Sequence, residues 1–213
     1  MVNMTKRVTA YLIGMVVMAC GIAMCINSNI GAPPGGVIAV AASHFVPLTI
    51  GQCAALFHVF CILTQILITR RPTVKHALQL PLAYVFGFLI DFFLELLVFE
   101  FPGIAYRVLF LLAGLLILSL GIRAIVGANI LLIPPDGLAR AIGTAFNWPM
   151  SKGKLAFDIA ATAVGLLMTW ILAGNPFLVV GVGTVICAIG TGPLIGVYTK
   201  LLPFLDLDRK EEG

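Results

Sequence analysis

The sequence predicts an all-α membrane protein of six transmembrane helices in two inverted three-helix repeats, each with a short half-helix interrupted by a Pro-Pro pair. Three observations carry that prediction. Hydrophobic residues make up 61% of the 213 positions and charged residues 10%, against about 25% charged in soluble domains. Mean hydropathy is +1.10, more apolar surface than a soluble domain of this size can hide from water. Six apolar runs are long enough to cross a bilayer at about 1.5 Å per residue. Finally, the two halves of the chain resemble each other at an offset near 100. This composition excludes an ordinary cytosolic enzyme, a secreted domain, a nucleic-acid binder and a disordered tail.

The first span covers 8–28. Lys6 and Arg7 precede it as in a signal peptide, and Val17-Met18-Ala19-Cys20 faintly resembles a lipoprotein cleavage box. The apolar run from Val8 to Ile26 is nevertheless 19 residues long and no small-residue cleavage site follows. It is therefore read as an uncleaved helix. Segment 29–47 does not fit as a span, because Pro33-Pro34 interrupts it. Runs at 50–69 and 77–98 complete the first half, separated by Arg70-Arg71-Pro72. Phe101-Pro102-Gly103 marks the midpoint, and proline ends helices by removing a donor and clashing with the preceding turn. The second half reads likewise: a span at 105–127, a segment at 129–149 broken by Pro134-Pro135, and spans at 153–173 and 177–199.

The duplication is visible in order. Gly14, Gly21, Ile22, Asn29 and Ile30 match Gly114, Gly121, Ile122, Asn129 and Ile130. Pro33-Pro34-Gly35-Gly36 matches Pro134-Pro135-Asp136-Gly137, and Pro47 to Gly51 matches Pro149 to Gly153. Gly87-Phe88-Leu89-Ile90 matches Gly192-Pro193-Leu194-Ile195. Residues 1–100 and 101–213 are thus two repeats, the second ending in a short cytoplasmic tail. Three spans per repeat is an odd number, so the second repeat enters the membrane from the opposite side. With a cytoplasmic N-terminus, twelve of the thirteen Lys and Arg residues fall on the cytoplasmic side and Arg107 outside. Positive charge favours the cytoplasmic face, so both termini are expected there.

Inverted repeats offer two similar arrangements, one open to each side, as many secondary transporters require. The expected function is a small-solute permease for a polar or anionic solute. The alternative is a non-transporting accessory or regulatory membrane protein. Proline suits the first turn of a helix, where its missing N–H costs nothing. Each Pro-Pro-x-Gly then starts a short helix whose free N–H groups attract anions. The expected substrate site comprises Asn29, Pro33, Gly35 and Gly36 with Asn129, Pro134, Asp136 and Gly137. Asp136 is also placed to cap its own helix, with Arg140 one turn on as a partner. A polar cavity linking Asn29, Asn129, Asp91 and His58 would favour transport, and dry packing there would favour the accessory role.

Charges inside spans are costly and mark function or pairing. Asp91 lies deep in the third span and His58 midway in the second, so these two are the expected proton-coupling residues. Asp158 has Lys154 one turn before it, Arg123 is placed to snorkel to the cytoplasmic headgroups, and Glu95 and Arg107 lie near the outer interface. The five cysteines have no metal-ligand spacing and read as small packing residues. Glycine pairs at i+7, such as Gly14 and Gly21, read as close helix approach. No nucleophile with a base, phosphate loop or haem ligand pair argues for an enzyme, and no cofactor is expected. The expected partners are the lipid bilayer and the solute, with a homodimer compatible with so thin a bundle.

The Gly-Ala-Pro-Pro-Gly-Gly stretch at 31–36, the Asn-Ile-Leu-Leu-Ile-Pro-Pro-Asp-Gly-Leu run at 129–138 and Gly181-Val182-Gly183-Thr184 before Gly190-Thr191-Gly192-Pro193 carry a further likeness. On these motifs the chain resembles the YczE/YyaS/AitT group of small bacterial integral membrane proteins, along nearly its whole length. The resemblance implies a bacterial inner (plasma) membrane location and a compact duplicated helical fold. It implies no reaction or substrate.

Overall fold

A computed structural model describes residues 4–207. Arg209, Lys210 and the end of the expected tail lie outside the described residues. The chain is all-helical over the described residues. Six helices are long and apolar enough to span a membrane: α1 (Met4–Asn27), α3 (Ile50–Thr69), α4 (Val74–Leu96), α5 (Ile104–Ala128), α7 (Met150–Ala173) and α8 (Val182–Leu201). Two shorter helices lie between them. One 3₁₀ turn, Pro34–Gly36, runs into α2 (Val37–Ser43), and α6 covers Pro134–Ala145.

Local chemistry sets the helix ends. The Thr49 hydroxyl accepts from the Gln52 N–H at 3.1 Å, and the Gln52 side chain accepts from the Thr49 N–H at 3.1 Å, a reciprocal cap that starts α3. Asn29 and Asn129, just beyond α1 and α5, both turn left-handed at φ 55° and 46°. Asparagine tolerates that conformation and so stops a helix in the way glycine does.

The core is a seam between α1 and α5, which pack antiparallel. A methyl on Gly21 would lie 2.6 Å from Leu118 Cα, and one on Gly121 would lie 2.6 Å from Met18 Cα. The glycines at i+7 therefore act as expected, letting two backbones touch where any side chain would hold them apart. Ser119, buried beside the seam, returns its hydroxyl proton to Leu115 O at 2.7 Å, so no polar group is stranded. Large apolar side chains such as Leu67, Tyr84, Phe88, Ile171 and Ile189 face outward. Buried polar residues include His58, Gln65, Gln79 and Thr184. Apolar outside with polar groups within is the pattern that a lipid solvent selects.

Two expectations need correction. The last helix begins at Val182, five residues later than 177, because the preceding residues make other backbone bonds. The Ala32 N–H donates to Val179 O and the Gly183 N–H donates to Ile30 O, both at 3.1 Å. Arg123 does not snorkel. It is buried, and its guanidinium lies 3.8 Å from Asp206 in the segment that follows α8.

Candidate functional site

A cavity of about 80 Å³ lies at the centre, where both Pro-Pro segments meet. Pro33, Pro34, Gly35 and Gly36 line it from one side, and Pro135 and Asp136 from the other. His58 of α3 and Lys154 and Asp158 of α7 complete its polar wall. Of the eight residues expected to form a substrate site, Pro33, Gly35, Gly36 and Asp136 line this cavity.

Asp136 neither caps α6 nor pairs with Arg140. Ile133 is the N-cap residue, without a side-chain bond, and Arg140 is exposed. Instead the Lys154 ammonium sits between two carboxylates, 3.1 Å from Asp136 and 3.0 Å from Asp158. Lys154 also lies 5.6 Å over the Phe157 ring. The reason is tertiary. Gly153, in the first turn of α7, packs against Ala139 and Gly143 in the later turns of α6, and this close approach lets the long Lys154 side chain reach back to Asp136. Asp136 also supplies the negative charge that the positive end of α6 favours.

His58 is 4% exposed and stacks on Phe86 with ring centroids 5.8 Å apart. Its Nδ1 has no hydrogen-bond partner among the described residues. Burial without a partner is uncommon, because a stranded polar atom costs about 1–3 kcal/mol.

A second and larger space of about 510 Å³ adjoins the cavity, and the two share Ile122, Asp136 and Lys154 on their walls. Lys75, His76, Asn129, Gly137 and Arg140 line this vestibule, with Met150 of α7 and Gly192 and Ile195 of α8 across from them. The central space thus opens toward one end of the bundle.

The opposite end is closed. Gly51 of α3 and Gly87 of α4 meet backbone to backbone. Asp91 holds that contact. One carboxylate oxygen accepts from the Gly51 N–H at 2.7 Å and the other from the Thr49 hydroxyl at 2.5 Å. Asn27 donates from its amide to Leu94 O and Leu97 O, both at 2.9 Å, tying α1 to the same end of α4.

These placements revise the expected site. Asp91 is not a carboxylate without partners. It is satisfied at the N-terminus of α3 and lines neither the cavity nor the vestibule. Asn29 and Asn129 do not share a site either, so no single cavity links Asn29, Asn129, Asp91 and His58. His58 lines the central cavity, Asn129 the vestibule and the other two neither, which on the expectation above counts toward the accessory role. The antiparallel seam puts the two asparagines at opposite ends of α1 and α5, separated by about 30 Å of helix. Arg7 marks the far end, donating to Ala128 O at 2.8 Å and Asn129 O at 2.5 Å. Pro134 is buried behind the cavity, its carbonyl accepting from Gln65 Nε2 at 3.0 Å. Lys154 and Asp158 are the residues that sequence reasoning paired with each other and left out of the site. Their signal was position, one turn apart just after Pro149 to Gly153, the counterpart of the segment that closes the other end.

Residues 5–200 match the model of a family of unknown function, DUF6198. The chain is also similar to the uncharacterized protein YyaS of Bacillus subtilis (strain 168). Identity is 24% over 205 residues, covering 95% of this chain and 97% of that protein. No solved structure matches.

Proposed function

We propose that this chain, which belongs to the DUF6198 family, is a small-solute permease that works by alternating access, not an enzyme. The observation that carries the reading is an asymmetry between its halves. Exchange α1 with α5, α2 with α6, α3 with α7 and α4 with α8. The contact α1–α4 then maps onto α5–α8, α2–α3 onto α6–α7, and α2–α7 onto α6–α3, while α1–α5 maps onto itself. This correspondence supports reading residues 1–100 and 101–213 as inverted repeats, with the two proline-started helices as half-helices. The α3–α4 contact alone among these has no such counterpart, because α7 and α8 stand apart around the vestibule.

The matched glycines express the same difference. A methyl on Gly87 would meet Gly51, whereas one on Gly192 would meet nothing within 4 Å. The arrangement is that of a carrier open at the α7–α8 end and shut at the α3–α4 end. The counterpart of Asp91 by the same offset is Gly196, so the open end has no carboxylate latch. In this reading Asp91 works as a gate, and His58 and the Asp136–Lys154–Asp158 cluster are the coupling and solute groups. The distribution of positive charge supports a cytoplasmic vestibule, and the likeness to YyaS of Bacillus subtilis supports a bacterial membrane.

An anionic solute loses support. The positive end of α6 already faces Asp136, and the Lys154 ammonium is already matched by two carboxylates. A neutral or cationic solute fits better.

Orientation is tested with reporters inserted near Lys75 and Gly103. The first is expected to read cytoplasmic and the second outside, and a cytoplasmic signal at 103 contradicts the inverted arrangement. Gating is tested by labelling single cysteines with a charged maleimide that does not cross lipid, in a chain whose five native cysteines are replaced. Ile122→Cys, on both the cavity and vestibule walls, is expected to react from the vestibule side. Ile50→Cys, on the cavity wall beside the closed end, is expected to react only slowly from the other side. Adding Asp91→Ala removes hydrogen bonds to a charged group worth about 1.5–3 kcal/mol. It should speed Ile50→Cys labelling by roughly tenfold or more. If Ile50→Cys stays sealed with and without Asp91, the cavity is a one-sided recess and the alternating-access reading fails.

A further inference from the structure

We infer that the central cavity binds a small organic cation, an ammonium group carrying a short apolar body. The inference rests on reading this cavity as the solute site and adds the chemical class of the solute.

The polar groups gather on one wall. Asp136 and Asp158 share a single ammonium, that of Lys154. Two carboxylates and one cation leave one negative charge over. The carboxylate side chains are only 14% and 15% exposed, so water and salt screen that charge weakly. An arriving ammonium would replace Lys154 on one carboxylate, and the lysine, which also lines the vestibule, has open space into which to withdraw.

A second, independent observation points to a ligand on the same wall. His58 is nine-tenths buried and lines the cavity, yet its Nδ1 has no partner among the described residues. The imidazole thus adds to this wall a buried polar side chain with an unsatisfied atom. Phe86, whose ring stacks on His58, also lines the cavity and adds apolar surface to it.

The remaining walls are apolar, among them Ile22, Ile90 and Leu118. They suit a hydrocarbon body and offer no oxygen shell to a hydrated inorganic cation, which needs about six or more oxygen ligands. Among the described residues, no group of three or more His, Cys, Asp or Glu side chains is arranged to hold a metal ion. At about 10–15 Å³ per water, the cavity has room for roughly five to eight water-sized groups.

The test compares n-butylammonium with butyrate, which share an apolar body and differ in the sign of the head. Both are titrated into the purified full-length protein in detergent, reading the thermal-unfolding midpoint and calorimetric binding. Butylammonium should raise the midpoint and butyrate should not. Asp158→Asn should weaken butylammonium binding by about tenfold, the scale of one charge-assisted contact. Lys154→Gln should strengthen it by a similar factor, since the competing ammonium is gone, while Lys154→Arg should behave like wild type. A purely structural Lys154 gives the reverse, with Lys154→Gln losing both stability and binding. Preference for butyrate, equal response to both probes, or no response to either overturns the inference. Amine binding without Ile50→Cys gating would leave this site standing and remove the transport reading. Gating without amine binding would do the opposite.

Discussion

Gly192→Val is expected to fold as well as wild type and yet to abolish opening of the far end. In this structure a Cβ at position 192 meets nothing within 4 Å. Substitutions at such open positions change stability by about 0.5 kcal/mol or less, so the thermal-unfolding midpoint should stay in place. The other state requires α8 to approach Gly153 of α7 as α4 now approaches Gly51 of α3. Gly87 makes that approach backbone to backbone, with no room for even a methyl. A valine at 192 would wedge the α7–α8 gap open and lock the protein as it stands. Labelling of Ile50→Cys from the closed end should then fall to background, and Asp91→Ala should no longer rescue it. Packed elements are bistable, so one bulky group at the contact of the absent state is enough to remove that state. Wild-type labelling of Ile50→Cys in the Gly192→Val protein would mean that α7 and α8 never need to meet.

The opposite kind of glycine lies in the seam. Gly21→Leu and Gly121→Leu should yield no folded protein. Each side chain would enter a facing backbone, at Leu118 and Met18 respectively, where no rotamer offers relief. Overpacking a well-filled core costs about 1–3 kcal/mol and occasionally more, and a collision with backbone lies at or beyond the top of that range. Total stabilities of only about 5–15 kcal/mol leave little margin. Even Gly21→Ala should lower the unfolding midpoint measurably in detergent. Gly196→Ala, inside α8 with open space around its Cβ, is the control and should not lower the midpoint. A Gly21→Leu protein with a wild-type midpoint would show that α1 and α5 do not pack as described.

The two glycine predictions look alike on paper and differ because of what faces each residue. Sequence alone marked Gly21, Gly121 and Gly192 together as members of a repeated small-residue pattern. Period and offset reveal that two backbones approach somewhere. They do not say which approach is made in one state and which is left for another.

The same limit explains the site. Pro33-Pro34 and Pro134-Pro135 were legible because proline starts helices and breaks spans whatever surrounds it. That both line one cavity is a matter of how the helices pack. The partners of Asp91 are not legible in its own span, because depth is a property of one helix, whereas Thr49 and Gly51 belong to the start of another. Asn29 and Asn129 were taken for ligand groups because amides are polar. Their left-handed backbone, visible only once helices α1 and α5 end, makes them terminators at opposite ends of the seam.

What the amino-acid sequence determined by itself was the all-helical class, the six spans, the interruption at each Pro-Pro pair and the family likeness. These follow from solvent and local backbone chemistry, which act on every stretch of chain independently of its neighbours in space. What only the tertiary structure decided was that Gly51 and Gly87 bring α3 and α4 together, that Lys154 lies between Asp136 and Asp158, and that buried His58 lines the cavity. Those depend on distances between helices far apart in the chain. Such distances are set by side-chain packing against a specific partner, and no periodicity in a single strand of sequence encodes them.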